Sequence, residues 1–371
     1  MGNTLSSLSQ KLLPPKATTG YFKRMLIMLC SHYILIQLLH IIYTMLRYKK
    51  RHSPSAEIPT ILNHQNQGIV TDQDYQQCIE QAKIDIHHTY GVAENIMGTK
   101  IVRESIIFGG GGRASLLQLA HPFIATAIDR KSALGEYGVS QRFYGTFKWM
   151  FRMVFGNRKS ALQASAVVRK MHNRIVGRFT QEDHQGMIHF PVGSEYLANS
   201  RAAQVWVWAT LFDSMILQYE MFVQHLTDAQ CELIYAQQFS YLLLFGLRPT
   251  DIPPNYRAFR AYCAGMWHSD ILACGPPAHR VSSYLFHAPH PLFKPALAWI
   301  RSGTIVLLPQ PIREKFGMHC SLLDVCNFLI SSTLTRSIYI LLPEVVRFLP
   351  AYFQAEQRIN PNLQRKFRWL A

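Results

Sequence analysis

Three stretches within about 70 residues put Arg, His and Thr into otherwise apolar, helix-patterned sequence. They are Gly109 to Pro122 (GGGGRASLLQLAHP), Arg142 to Thr146 (RFYGT) and Arg169 to Gly177 (RKMHNRIVG). Guanidinium and imidazole groups are seldom buried unless something compensates them. A metal or an anionic cofactor is such a compensator, so this region is where chemistry is expected.

Arg169 and His172 are three residues apart and share a helix face. An imidazole on an apolar helical face is one way to hold haem iron, and a neighbouring Arg can meet the haem propionates. Arg142 and Thr146 are four apart, so one helix presents the planar guanidinium donors and the hydroxyl on one side, suited to an oxygen-bearing ligand. Gln118 and His121 also share a face, with Arg113 five residues before Gln118. Pro122 disfavours helical geometry at His121 and predicts a kink or an end there. Each set has a plainer reading from spacing alone: a satisfied core His, a surface ion pair, a hydrogen-bonded packing motif.

The glycine run carries a competing signal. Gly109, Gly111 and Ala114 satisfy G-x-G-x-x-A after the apolar Ile106–Phe108, and Asp129 lies near the position of a ribose-binding acid. A nicotinamide-dependent reductase needs strands alternating with helices beyond this point, and the sequence there is helical. The alternative is that small residues let a helix start pack closely against another backbone.

These motifs need elements to hold them. The stretches Ser160–Phe179, Ala202–Leu226 and Asp228–Leu247 repeat apolar residues at helical spacing, the last with Thr227 as N-cap, and prolines fall mostly between such segments. The composition is 49% hydrophobic with 16% charged residues, which suits a membrane contact or a large apolar ligand site. The net charge of +16 fits anionic lipid better than nucleic acid, for which no recognition motif is present. Seven scattered cysteines without C-x-x-C spacing predict free thiols. His87, His88, His184 and His189 form no metal motif, and no H-E-x-x-H, G-x-S-x-G or P-loop occurs.

Residues 1–24 read as a polar leader with a myristoylation pattern at Gly2. Residues 25–46 hold no Asp, Glu, Lys or Arg and suffice for a transmembrane or interfacial helix. Tyr33, Gln37, His40 and Thr44 fall on one face of it, which suits an interfacial helix or one facing protein. Residues 47–70 read as a linker, and 71–371 as one helical domain. Cys320–Phe348 is apolar but holds Asp324, Arg336 and Glu344, and reads as core helices.

Together, GGGGRASLLQLAHP, R-x-x-x-T at Arg142 and Thr146, R-x-x-H at Arg169 and His172 with Val176 and Gly177, the Trp-rich Val205–Phe222 and the Gly246–Pro254 stretch resemble the ER-bound oxygenase mpaB and rubber oxygenase (latex-clearing protein) catalytic domain, over roughly residues 81–311. The resemblance implies an all-α, globin-like fold around a b-type haem. His172 would be the proximal iron ligand with Arg169 beside it. Arg142 and Thr146 would be polar pocket residues, and Arg113, Gln118 and His121 further cofactor-side candidates. It implies oxidative cleavage of a carbon–carbon double bond in an apolar, isoprenoid substrate with dioxygen, at a membrane, the endoplasmic reticulum in a eukaryote. Rubber oxygenases can carry a distal Lys before the Thr of R-x-x-x-T, where this chain has Gly145. The family's distal carboxylate base is unassigned here, with Asp129 and Glu136 as candidates. A domain that binds haem or lipid without turnover is the alternative from a different class.

Overall fold

The computed structural model describes residues 16–52, 68–85, 97–131, 134–184, 187–286 and 291–359. The apolar N-terminal run lies within α1 (Lys16–Arg51), longer than the apolar segment itself. Then comes α2 (Asp72–Asp85), opened by the Thr71 and Asp74 side chains bonding each other and each other's backbone N–H. The glycine run forms a 3-10 turn (Ser105–Gly110) that leads into α3 (Gly111–Leu119). As Pro122 predicts, α3 stops before His121, and α4 (Pro122–Lys131) starts on the proline, whose fixed φ and missing N–H suit a first helical position.

A two-residue turn joins α5 (Leu134–Phe155) to α6 (Arg158–His172), and the two pack side by side. Helical periodicity suggests a helix continuing to Phe179, but α6 ends at His172. Val176–Arg178 (β1) instead pairs antiparallel with Glu195–Leu197 (β2), with Gly177 opposite Tyr196. A Cβ at Gly177 would lie 2.2 Å from the Tyr196 hydroxyl, so this strand crosses the ring at backbone range.

The central element is α7 (Arg201–Phe222), in which every residue except Val207, Leu211 and Met215 is buried. A helix apolar on all sides belongs inside the protein, and its Trp-rich sequence is of that kind. Around it follow α8 (Asp228–Ala236), with the Thr227 cap, α9 (Gln238–Leu243), α10 (Tyr256–His268) and α11 (Pro276–Leu285). The chain closes with α12 (Lys294–Leu307), α13 (Gln310–Lys315), α14 (Leu322–Tyr339), α15 (Glu344–Arg347) and α16 (Pro350–Ile359). The sheet among the described residues is the two-stranded β1–β2 pair, so the fold is all-α.

The glycines serve packing. A Cβ on Gly112 would sit 2.3 Å from Thr304 Oγ1 of α12, and one on Gly110 would sit 2.8 Å from Gln218 Cγ of α7. Close helix approach therefore accounts for this run. No strand precedes it and no parallel sheet stands around it among the described residues, which corrects the dinucleotide-binding expectation.

The polar stripe of α1 faces the body. Gln37, Ile41 and Thr44 are buried, Tyr33 donates to Ser337 O of α14, and His40 Nε2 meets Glu220 O of α7. Farther along, Arg47 and Arg51 both pair with the buried Glu220 carboxylate. Helix α1 is thus part of the folded unit, with its other face outward.

Candidate functional site

The α5–α6 hairpin sets the heights of the key residues. Arg142 lies 13 residues before the end of α5, and His172 lies 14 after the start of α6. At 1.5 Å per residue both are about 20 Å from the turn, so they share the open end of the hairpin. Thr146 is one turn nearer the bend on the Arg142 side, with its side chain exposed. The side chain of Arg142 and that of Glu136 lie outside the described residues, as do Gly2, His87 and His88.

His172 is the last residue of α6 and is half-buried. Burial, aided by the positive charge of Arg169, lowers its imidazole from the ordinary value to about 4. The ring is therefore neutral near pH 7, the state that ligates a metal. Arg169 is one turn back. One of its nitrogens donates to Val70 O and Asp72, and the guanidinium lies over the Tyr75 ring. Its Nε and Nη1 are buried without a hydrogen-bond partner, on a side chain 10% exposed. A buried charged donor left unsatisfied is costly, and a carboxylate or other anion would satisfy it. Tyr75 is fixed in turn by its hydroxyl against Ser165, which donates to Leu244 O.

The residues of the first motif are elsewhere. Arg113 is 1% exposed, and its donors go to Asp213, Ser214, Tyr48 and Leu307 O. Asp213 is 3% exposed, accepts from Tyr48 and has His52 Nε2 3.0 Å away. Burial alone would raise the Asp213 carboxyl, but Arg113, His52 and Tyr48 hold it well below the usual carboxylate range. Gln118 donates to Thr210 of α7, and His121 Nδ1 accepts from Phe123 N while its ring packs against Phe123 and Phe190.

Helix α7 measures the separation. Its first residue, Arg201, bonds Ile69 O and Asp74, beside the Val70 and Asp72 partners of Arg169. Asp213 comes twelve residues later, or about 18 Å along the axis. The fold thus joins Arg169 and His172, places Arg142 and Thr146 level with them, and assigns Arg113 to a separate buried lock between α1, α3 and α7. Sequence reasoning missed Asp213, Tyr48 and His52 in that lock. The available signal was one acid inside the apolar VWVWATLFDSMIL run, together with a Tyr and a His at i, i+4 just past the apolar part of α1.

Asp129 is held in an ion pair by Arg280. Among the described residues, no three His, Cys, Asp or Glu side chains converge as a cage for a bare metal ion. An open surface hollow of about 630 Å³ lies beside Lys83, Asn157 and Leu162, toward the turn end of the hairpin.

No curated protein and no solved structure matches the chain. The family profile described as ER-bound oxygenase mpaB/B'/Rubber oxygenase, catalytic domain, matches residues 99–334. That span contains all three motif stretches, the α5–α6 hairpin and the whole of α7, and the chain belongs to this oxygenase family.

Proposed function

We propose that the protein is a haem-dependent oxygenase that cleaves a carbon–carbon double bond of an apolar, isoprenoid substrate with dioxygen. The observation that carries the reading is the pairing of a neutral, half-buried His172 with the buried, unsatisfied Nε and Nη1 of Arg169. A single imidazole, with no cage of further ligands among the described residues, fits a metal that brings its own donors, as iron in a porphyrin does. The orphaned guanidinium donors fit the carboxylates that a haem carries.

Bound there, the haem would supply the oxygen activation and redox chemistry. His172 would hold the haem iron through a ring nitrogen that burial and Arg169 keep unprotonated. Arg169 would anchor the cofactor's anionic edge while Tyr75 and Asp72 hold the guanidinium in place. Arg142 and Thr146 would donate hydrogen bonds to oxygen atoms of the reacting species. The apolar outer surface of α1 suits delivery of a substrate dissolved in membrane lipid.

The test uses the full chain expressed with haem supplied. His172→Ala is expected to fold with wild-type helicity and to lose bound haem, read as the Soret band and its shift on reduction. A variant that keeps normal haem content refutes the assignment. The pairing of Asp129 with Arg280 favours a second reading, haem or lipid binding without turnover, because it leaves that carboxylate engaged. Carbonyl products from an isoprenoid alkene under oxygen separate the two readings.

A further inference from the structure

Both charged residues of α14 are tied up by hydrogen bonds. Asp324 caps its own helix start with Ser321, and Arg336 is buried and donates to Val223 O. The outward stripe holds Leu323, Ile330, Leu334, Ile338 and, just past the helix end, Leu341, all 49–74% exposed. Asn327 is an exposed polar residue within it, no charged side chain interrupts it, and from Leu323 to Leu341 it is about 27 Å long.

This stripe continues onto α1. The two helices pack along one another, with Tyr33 bonded to Ser337 O toward one end and Ile41 sharing a cluster with Phe328 toward the other, so they run antiparallel. Leu35, Leu39, Tyr43 and Leu46 of α1 fall at i, i+4, i+8 and i+11 and are 51–63% exposed. The polar side chains exposed on α1 turn back on their own helix: Ser31 donates to Ile27 O, and His32 Nδ1 lies 2.7 Å from Met28 O. Such self-satisfied polar groups suit a face turned to hydrocarbon, where water supplies no partner. Lys49 and Lys50 are exposed just beyond the apolar run, a position that suits anionic headgroups.

We infer that α1 and α14 together form a monotopic membrane-facing surface, with both helices lying in the plane of one leaflet and lipid as the occupant. This deepens the membrane-contact part of the proposed function and is independent of the haem. A single spanning α1 conflicts with its packing, because from Tyr33 to His52 its inner face is docked on the body. Standing that length upright would carry Glu220, Arg47 and Asp213 into the bilayer core, at high cost. Arg336 turned inward also explains why α14 reads as core in the sequence: its charge disguises an apolar outer face.

The test places a nitroxide at Leu334→Cys in the full chain, with Cys30, Cys320 and Cys326 replaced by Ser, on vesicles of phosphatidylcholine and phosphatidylserine at 3:1. The label is expected to collide more with oxygen than with an aqueous nickel chelate, while a control label at Glu182→Cys does the reverse. Dominant nickel accessibility at 334, failure to bind vesicles, or dipolar coupling between labels of two copies each overturns the inference, the last in favour of a second copy. Leu334→Gln with Ile338→Gln removes apolar area and is expected to weaken vesicle partitioning roughly tenfold or more at unchanged haem content. Unchanged partitioning overturns the inference, whereas loss of haem in His172→Ala bears on the proposed function alone.

Discussion

The lock around Asp213 is open to a quantitative test. Asp213→Asn keeps the shape but removes the negative charge that faces Arg113, and both groups are almost fully enclosed. Breaking a buried pair from one side strands the remaining charge and costs about 3–5 kcal/mol. At about 2.1 cal/mol/K per residue, a 371-residue chain has an unfolding entropy of roughly 0.8 kcal/mol/K, so Tm falls by about 4–6 °C. Arg113→Met on that background removes the stranded charge and is expected to restore about 1–3 kcal/mol. Tyr48→Phe, which loses a bond to a buried carboxylate from α1, costs about 1.5–3 kcal/mol. The assay is thermal unfolding of the single variants and the double variant at one scan rate. A shift under 1 °C for Asp213→Asn, or strictly additive losses in the double variant, refutes the reasoning.

The same carboxylate sets an acid dependence. Its native pKa is depressed, so its contribution is complete above the unfolded value near 3.8 and is lost as pH falls below that value toward the native one. The gap in urea midpoint between wild type and Asp213→Asn is therefore expected to be flat from pH 7 to about 4 and to narrow below; a gap that narrows near pH 6 contradicts this. Gly112→Ala forces a methyl against Thr304 and is expected to cost about 1–3 kcal/mol, with Thr304→Ala recovering most of the loss in a denaturant titration. Gly145 sits in α5 with nothing within 4 Å of an added Cβ. Gly145→Lys is thus expected to stabilise the helix by roughly 0.5–1 kcal/mol and, in haem-loaded protein, to give the absorption spectrum of a six-coordinate low-spin centre. An unchanged Soret band with haem bound places α5 away from the distal side.

Much of the helical architecture was legible because its signals are local. The end of α3 is written in Pro122, the start of α8 in Thr227, and the burial of α7 in its nearly unbroken apolar sequence. The pairing of Arg169 with His172 followed from a three-residue spacing. Local periodicity could not register that α6 stops at His172, because β1 depends on Tyr196, some twenty residues downstream, to accept Gly177 at backbone range.

Arg113 makes the same point for the site. Its type and neighbours match a cofactor-side residue, yet its partners come from α1, α7 and α12, at separations of 65 to 194 residues. Whether a buried charge faces a ligand or another side chain is decided by what the chain brings to it from elsewhere. Helix α14 is the reverse case: its sequence contains Asp and Arg, and the fold turns one into a cap and the other into a buried donor. The sequence by itself determined the all-helical class, the family motifs and the apolar N-terminal run, because periodicity, spacing and hydropathy act within a few turns. Only the tertiary structure decided which charges are satisfied internally, which buried donors are left without a hydrogen-bond partner, and which apolar faces are left outward, because those outcomes depend on contacts between distant segments.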